Sequence, residues 1–122
     1  MYLEGVMSGT GIHILVDTGA THNIIDVNVA HLIGLQEQRI NTAILIGSGN
    51  EVPCHVAAFN VPLRIDANVF DIDAYLLDIG NDVAIILGTP WLASLGRLTW
   101  DFTTTQLQYV RNERLFTFTT TQ

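Results

Sequence analysis

The chain has 122 residues, enough for one hydrophobic core, and we expect a single domain over residues 1–122. Apolar residues make up 48% and charged residues 14% of the sequence, which excludes the disordered classes. The formal net charge is −7 and all five basic residues are arginines, so direct binding to nucleic acid or to an anionic membrane is not expected.

The cellular location is predicted from cysteine usage and from the lengths of the apolar runs. The single cysteine, Cys54, cannot form an internal disulfide, as is typical of cytosolic and nuclear proteins. Apolar runs such as "VAIIL" are much shorter than a membrane span, and the N-terminus has no signal-peptide pattern. We therefore expect a cytoplasmic protein with no membrane partner.

Short apolar segments with period-two alternation, separated by turn residues, predict a mainly β protein. Tyr2 to Met7 and Ile12 to Val16 flank "SGTG" and predict a first hairpin. Ala43 to Ile46 and Glu51 to Val56 flank "GSGN" and predict a second. Further along, "NVFDIDAYLL" alternates, with its aspartates on the solvent side, and "QLQYV" and "RLFTFTTT" around "RNE" predict a third hairpin.

Two short helices interrupt the predicted strands. Asp26 can cap a helix that ends at Gly34, and Pro90 can occupy the first turn of "PWLASL", which ends at Gly96. No linker, repeat or low-complexity tract divides the sequence, so one domain is the simplest interpretation.

Two segments carry candidate chemistry. In "ILVDTGATHNII", Ile14 to Ile25, an apolar strand ends in Asp17, and burying an unpaired carboxylate is costly unless a partner shares it. Asp-Thr-Gly is also a common turn, and on residue types alone the structural interpretation is the more frequent one. In "DVAIILGTPWLASLG", Asp82 to Gly96, aliphatic residues lead to Gly88 and a helix start.

Taken together, these segments resemble a known family. "VDTGATHNII", "IILGTPWLASLG" and "LTWDF" resemble, in order, the motifs of retropepsin-type aspartic proteases, and look closest to the proteases of gypsy-type LTR retrotransposons. The resemblance extends over roughly Glu4 to Phe118. It implies a mainly β, retropepsin-like closed barrel with one or two short helices.

The resemblance implies an aspartic endopeptidase that cleaves extended peptides in a retroelement, Gag-Pol-like polyprotein, without a cofactor or metal. Two carboxyl groups share a proton, so that one activates a water and the other protonates the peptide carbonyl. The chain has one Asp-Thr-Gly and is too short for two lobes, so it implies a homodimer with Asp17 and its copy on the twofold axis. The implied location is cytoplasmic, including virus-like particles.

The resemblance also assigns roles to individual residues. Asp17 is catalytic, Thr18 hydrogen-bonds across the interface, and Gly19 lines the path of the substrate backbone. The hairpin around "IGSGNEVP" corresponds to the flap, with an ordinary β-turn as an equally supported interpretation. The implied substrate contacts are Ala20, Thr21, His22, Ile46, Gly47, Ser48, Gly49 and Ile86.

Two departures from the retroviral members leave questions open. Thr89 stands where an arginine often supports the retroviral dimer, and the terminal segment is long enough for a complete hairpin, so an interleaved terminal sheet is left undecided. The alternative function is a catalytically silent dimerisation or peptide-binding module, against which the intact Asp-Thr-Gly argues. The four histidines lack metal-ligand spacing, so no metal site is expected.

Overall fold

The computed structural model describes residues 1–46, 49–80 and 82–120, with the side chain of Thr119 excepted. The elements in chain order are β1 (Tyr2–Met7), β2 (Thr10–Val16), β3 (Ile24–Asp26), α1 (Val27–Leu32), β4 (Gln38–Leu45), β5 (Glu51–Ile65), β6 (Asn68–Leu77), β7 (Ile85–Leu87), α2 (Thr89–Ser94), β8 (Leu98–Asp101), β9 (Gln106–Arg111) and β10 (Arg114–Thr119). The mainly β prediction, with two short helices, is confirmed. Among the described residues, no helix has the length and apolar character needed to cross a membrane.

Six strands form a closed ring. The main sheet runs in the order β1-β2-β7-β3-β6-β5-β4, and β1 also pairs with β5 through Val6 and Arg64. The first hairpin, β1–β2, therefore lies between β5 and β7. Gly5 permits this closure, because a Cβ there would lie 2.8 Å from Ile14 Cδ1 and 3.0 Å from the Arg64 carbonyl oxygen. The predicted closed, barrel-like fold is confirmed.

The centre of the main sheet mixes parallel and antiparallel pairing. β2 runs parallel to β7, with Val16 opposite Leu87, and β3 runs parallel to β6, with Asp26 opposite Leu77. β3 and β7 lie antiparallel between them. The short strands β3 and β7 thus bring the ends of β2 and β6, which are far apart in sequence, to neighbouring positions in the barrel.

The core has the alternation predicted from the sequence. In β6, Phe70, Ile72, Ala74 and Leu76 are buried, whereas Asp71 and Asp73 are exposed. This pattern confirms the solvent-facing interpretation of "DIDAY". Buried apolar side chains supply the main driving force for folding, and here one cluster joins the barrel strands with Trp91 of α2 and with Tyr109 and Phe118 of the terminal strands.

A second sheet covers one side of the barrel. Its order is β10-β9-β8, with all pairs antiparallel, so the predicted third hairpin is present and gains β8 as a third strand. Phe118 stacks on Tyr109, with ring centroids 4.7 Å apart, and lies 5.6 Å from Trp91 of α2. Both edges of β9 are therefore paired within the chain, one with β10 and the other with β8.

Both helices begin and end as predicted. Asp26 is the N-cap of α1, where its Oδ2 accepts a hydrogen bond from Val29 N at 3.3 Å, and Gly34 follows with φ +73°. Pro90 lies in the first turn of α2, and Gly96 follows with φ +74°. A positive φ is the conformation that glycine adopts at little cost, which explains both helix ends.

Candidate active site

The loop after β2 holds Asp17 at the surface. The Asp17 amide donates to the Leu87 carbonyl at 3.0 Å, which continues the β2–β7 pairing by one residue. Oδ1 of Asp17 accepts a hydrogen bond from Gly19 N at 2.8 Å, and the Ala20 amide donates to the Asp17 carbonyl at 3.1 Å. The carboxylate is therefore oriented by its own turn while Asp17, Thr18 and Gly19 stay exposed.

Gly88 packs directly against this loop. The Thr89 amide donates to the Ala20 carbonyl at 2.9 Å, so the start of α2 is hydrogen-bonded to the loop. A Cβ on Gly88 would lie 2.4 Å from Ala20 O and 2.7 Å from His22 O, both backbone atoms that cannot turn aside. The glycine between the aliphatic run and the helix is thus needed for a close approach of two backbones.

Asn23 is a buried polar residue beside the Asp17 loop that was not among the predicted site residues. Its side chain is 6% exposed; Oδ1 accepts from Gly88 N at 3.0 Å and Nδ2 donates to Asp73 O at 3.2 Å. Its own carbonyl accepts from Tyr75 N at 3.0 Å. The one available signal was a polar residue directly before the buried pair Ile24 and Ile25. Only the fold reveals that it joins the Asp17 loop to β6 and to Gly88.

A groove of about 790 Å³ runs past the loop, a volume within the usual range for ligand sites. The predicted site residues that line it are Asp17, Gly19, Ala20, Thr21, His22, Ile46, Gly49 and Ile86. Thr18 is exposed but does not line the groove, and its bond across a dimer interface stays a prediction. Gly47 and Ser48 lie outside the described residues.

The groove also has walls that were not predicted. These residues are Ile24, Leu45, Val52, Leu77, Asp78 and Ile79. Val52 lies within the predicted flap segment, Ile46 to Pro53, and Leu45 directly precedes it, so their sequence neighbourhood was a usable signal. Leu77, Asp78 and Ile79 reach the groove because β6 runs parallel to β3, a pairing that periodicity does not predict.

The β4–β5 hairpin, which carries the segment predicted as the flap, borders the groove, and its role as a flap stays a prediction. The Ile46 amide donates to the Asn50 carbonyl at 3.1 Å, and Gly49 N donates to Ile46 O at 2.8 Å. Gly49 has φ +81° and Leu45 is 52% exposed. The described residues on the two sides of the hairpin end are therefore hydrogen-bonded to each other, and Leu45 and Ile46 line the groove with apolar side chains.

The groove is apolar with few charges. His22 packs edge-on against Tyr75, with ring centroids 5.2 Å apart, and the carboxylates on the groove wall belong to Asp17 and Asp78. Among the described residues, no cluster of three or more His, Cys, Asp or Glu side chains could hold a metal ion. An exposed carboxylate beside an apolar groove suits acid–base chemistry on an extended peptide.

The comparisons with known proteins agree with this geometry. The sequence matches the model of the family described as "Retroviral aspartyl protease" over residues 5–111. The fold is similar to the crystal structure of the retroviral protease-like domain of Ddi1 from Leishmania major, with a TM-score of 0.71 and 15% identity over 97% of this chain and 90% of that chain. No protein with curated annotation matches the sequence closely enough to count as a relative. Because the family match covers most of the chain, including Asp17 and Gly88, the chain belongs to the retroviral aspartyl protease family and is a retropepsin-like aspartic protease domain.

Proposed function

We propose that the protein is an active aspartic endopeptidase whose catalytic centre forms between two copies of the chain. The observation that carries this proposal is the exposed Asp17 carboxylate at the groove, with Oδ1 hydrogen-bonded to Gly19 N. Among the described residues, no second carboxyl group is hydrogen-bonded to Asp17 within the chain. A symmetric dimer supplies one, because a twofold axis through the loop brings each Asp17 to its own copy.

The chemistry follows from two carboxyl groups that share one proton. The ionised group takes a proton from a water as the water oxygen bonds to the peptide carbonyl carbon, and the protonated group gives its proton to the carbonyl oxygen. Collapse of the tetrahedral intermediate breaks the C–N bond as the group that took the water's proton gives it to the nitrogen, while the other carboxylate takes a proton back from a hydroxyl of the intermediate. Gly19 N fixes one oxygen of each Asp17, so the pair keeps its orientation through both steps.

The substrate and location are also part of the proposal. The order of the motifs supports a protease of the gypsy-type retrotransposon branch that cuts its own polyprotein in the cytoplasm, including virus-like particles. The apolar lining formed by Ile24, Leu77 and Ile86 supports cleavage next to apolar residues. An extended peptide chain fits a groove that is bordered on one side by the β4–β5 hairpin.

A subunit-mixing experiment tests the dimeric centre. Wild type and Asp17→Asn are equilibrated in equal amounts at constant total concentration, and cleavage of an unfolded polypeptide is followed over about pH 4 to 7. Random pairing leaves about one quarter of the dimers with two wild-type chains, so activity should fall to about one quarter of wild type. Activity of one half would mean that each chain works alone and would contradict the proposal.

Asp71→Asn is the matched control for that mixture. Asp71 is an exposed aspartate of β6 that does not line the groove, so mixing it with wild type should leave activity unchanged. The alternative function, a silent dimerisation or peptide-binding module, predicts no cleavage at any pH, whether the chain is a monomer or a dimer by sedimentation. Cleavage by wild type that disappears in Asp17→Asn excludes that alternative.

A further inference from the structure

The groove contains one carboxylate that the proposed chemistry does not use. Asp78 follows the last residue of β6, Leu77, and lines the groove together with Asp17. We propose that Asp78 makes the enzyme select substrates with a basic side chain at one position near the cleaved bond. This inference rests on the proposed function, because it concerns the peptide that occupies the same groove.

No described arginine neutralises the charge of Asp78, and the basic side chain that lines the groove is His22, which packs on Tyr75. The described lining residues include no arginine, and none of the described arginines lies within ion-pair distance of an aspartate or glutamate. Oδ1 of Asp78 accepts from Gly80 N at 3.3 Å, and the described residues provide no hydrogen-bond donor for its other oxygen. A bound peptide can provide that donor.

A lysine or arginine side chain matches this wall of the groove. Asp78 lies between Leu77 and Ile79, which also line the groove, so a long alkyl stem can pack on apolar surface while its charged head reaches the carboxylate. An acidic side chain at the same position meets the Asp78 charge in a protein of net charge −7 and is disfavoured. Because Asp78 is exposed, we expect a preference of about threefold to fivefold in kcat/KM.

Asp78 also has a structural role, which the experiment must separate from recognition. The Gly80 bond and the Gly80 φ of +94° form a turn that an aspartate at 78 stabilises. Asparagine can accept the same hydrogen bond, so Asp78→Asn removes the charge and keeps the turn. Asp71→Asn is the matched control, because it also removes one negative charge, at an exposed site outside the groove.

The experiment uses peptides that are identical except for one position, scanned on both sides of the cleaved bond, with Lys, Gln or Glu in that position. For wild type and Asp71→Asn we expect kcat/KM to follow Lys > Gln > Glu at one position, by about threefold to fivefold between Lys and Gln. Asp78→Asn should reduce this ratio to about one, and high salt should reduce it in wild type.

Two results would overturn the inference while leaving the proposed function intact. One is cleavage by wild type without a charge preference at any position, and the other is an unchanged Lys-to-Gln ratio in Asp78→Asn. The same peptides are also titrated against Asp17→Asn, with and without Asp78→Asn, by fluorescence anisotropy. If wild type cleaves nothing, the proposed function fails. In that case, binding that prefers Lys only when Asp78 is present still supports the selection, and equal binding of the three peptides overturns it.

Discussion

Asp17 and Asp26 lie nine residues apart and each stands at the end of a strand, yet the fold places them in opposite environments. Asp26 is 4% exposed, and its two oxygens accept from Val29 N at 3.3 Å and Ile79 N at 3.2 Å. Asp17 is exposed, with Oδ1 bonded to Gly19 N. A carboxylate whose oxygens are both held by backbone amides stabilises the fold, whereas one that keeps an oxygen open to the groove is free for chemistry.

The comparison explains how similar strand ends acquire different roles. Asp26 caps α1 and also holds the residue that follows Asp78, so its bonds join a helix to the end of β6. The Asp17 turn is held mainly by backbone hydrogen bonds to β7 and Ala20, so the Asp17 side chain contributes little to the stability of the fold. We therefore expect a substitution of Asp17 to lower activity with little change in stability, and a substitution of Asp26 to lower stability with little change in activity.

The largest expected effect is that of Asp17→Asn on activity. Removing the acid–base group should lower kcat/KM by at least about a thousandfold. Because asparagine can still accept from Gly19 N, the free energy of unfolding should stay within about 0.5 kcal/mol of wild type. Single-turnover cleavage and urea unfolding measure the two quantities.

Asp26→Asn tests the other aspartate, for which we expect a loss of stability without a loss of activity. Asparagine has one acceptor oxygen for two backbone donors, so one amide loses its partner and the fold should lose about 1–3 kcal/mol. Cleavage should persist at a temperature where the variant is folded. If Asp17→Asn unfolds the protein, or if folded Asp26→Asn is inactive, the separation between the two aspartates is wrong.

The next largest effect is expected at Gly88, which supports the Asp17 loop. Gly88→Ala places a Cβ 2.4 Å from Ala20 O, and relieving that overlap should cost more than about 3 kcal/mol. Thermal unfolding provides the measurement. Gly11→Ala is the control, since no heavy atom lies within 4 Å of a Cβ there. Equal stability of the two variants would contradict the proposed close approach.

A smaller effect is expected at Asn23, which links the loop to β6. Asn23→Ala leaves Gly88 N without its acceptor in a buried site, at a cost of about 2 kcal/mol. If Asn23 positions Asp17, kcat should fall more than KM changes, and Asn23→Asp, which keeps the acceptor, should recover part of kcat. A purely structural role predicts that folded Asn23→Ala retains the wild-type kcat.

The smallest effect is expected at Asp101, which is hydrogen-bonded but fully exposed. Backbone hydrogen bonds from Thr104 and Thr103 hold the pKa of the Asp101 carboxyl below its ordinary value. A pKa that is lower in the folded state adds stability above the unfolded value of 3.8, and that stability is lost as pH falls through the folded pKa. Asp101→Asn should therefore be slightly less stable than wild type at neutral pH and equal to it in acid. Thermal unfolding at the two pH values checks this, and a difference that grows in acid would reverse the sign.

Much of the candidate site could be predicted from the sequence because its signals are local. Each of these signals depends on neighbouring residues: the apolar runs that end in Asp17 and in Gly88, the helix cap at Asp26, the first-turn proline Pro90 and the glycine near the hairpin tip. Their order along the chain was enough to indicate the retropepsin-like fold. The fold class and the helix bounds were therefore within reach of periodicity, turn chemistry and resemblance.

Only the tertiary structure decided which distant residues meet. The parallel pairing of β3 with β6 brings Leu77, Asp78 and Ile79 to the groove, and the crossing of Gly88 over the loop gives Asn23 its acceptor role. Such contacts depend on strand register and backbone approach across more than fifty residues, and no local pattern encodes them. The sequence by itself determined that a carboxylate stands at a strand end, whereas burial and hydrogen bonding, which exist only after folding, decided that Asp26 stabilises and Asp17 stays open.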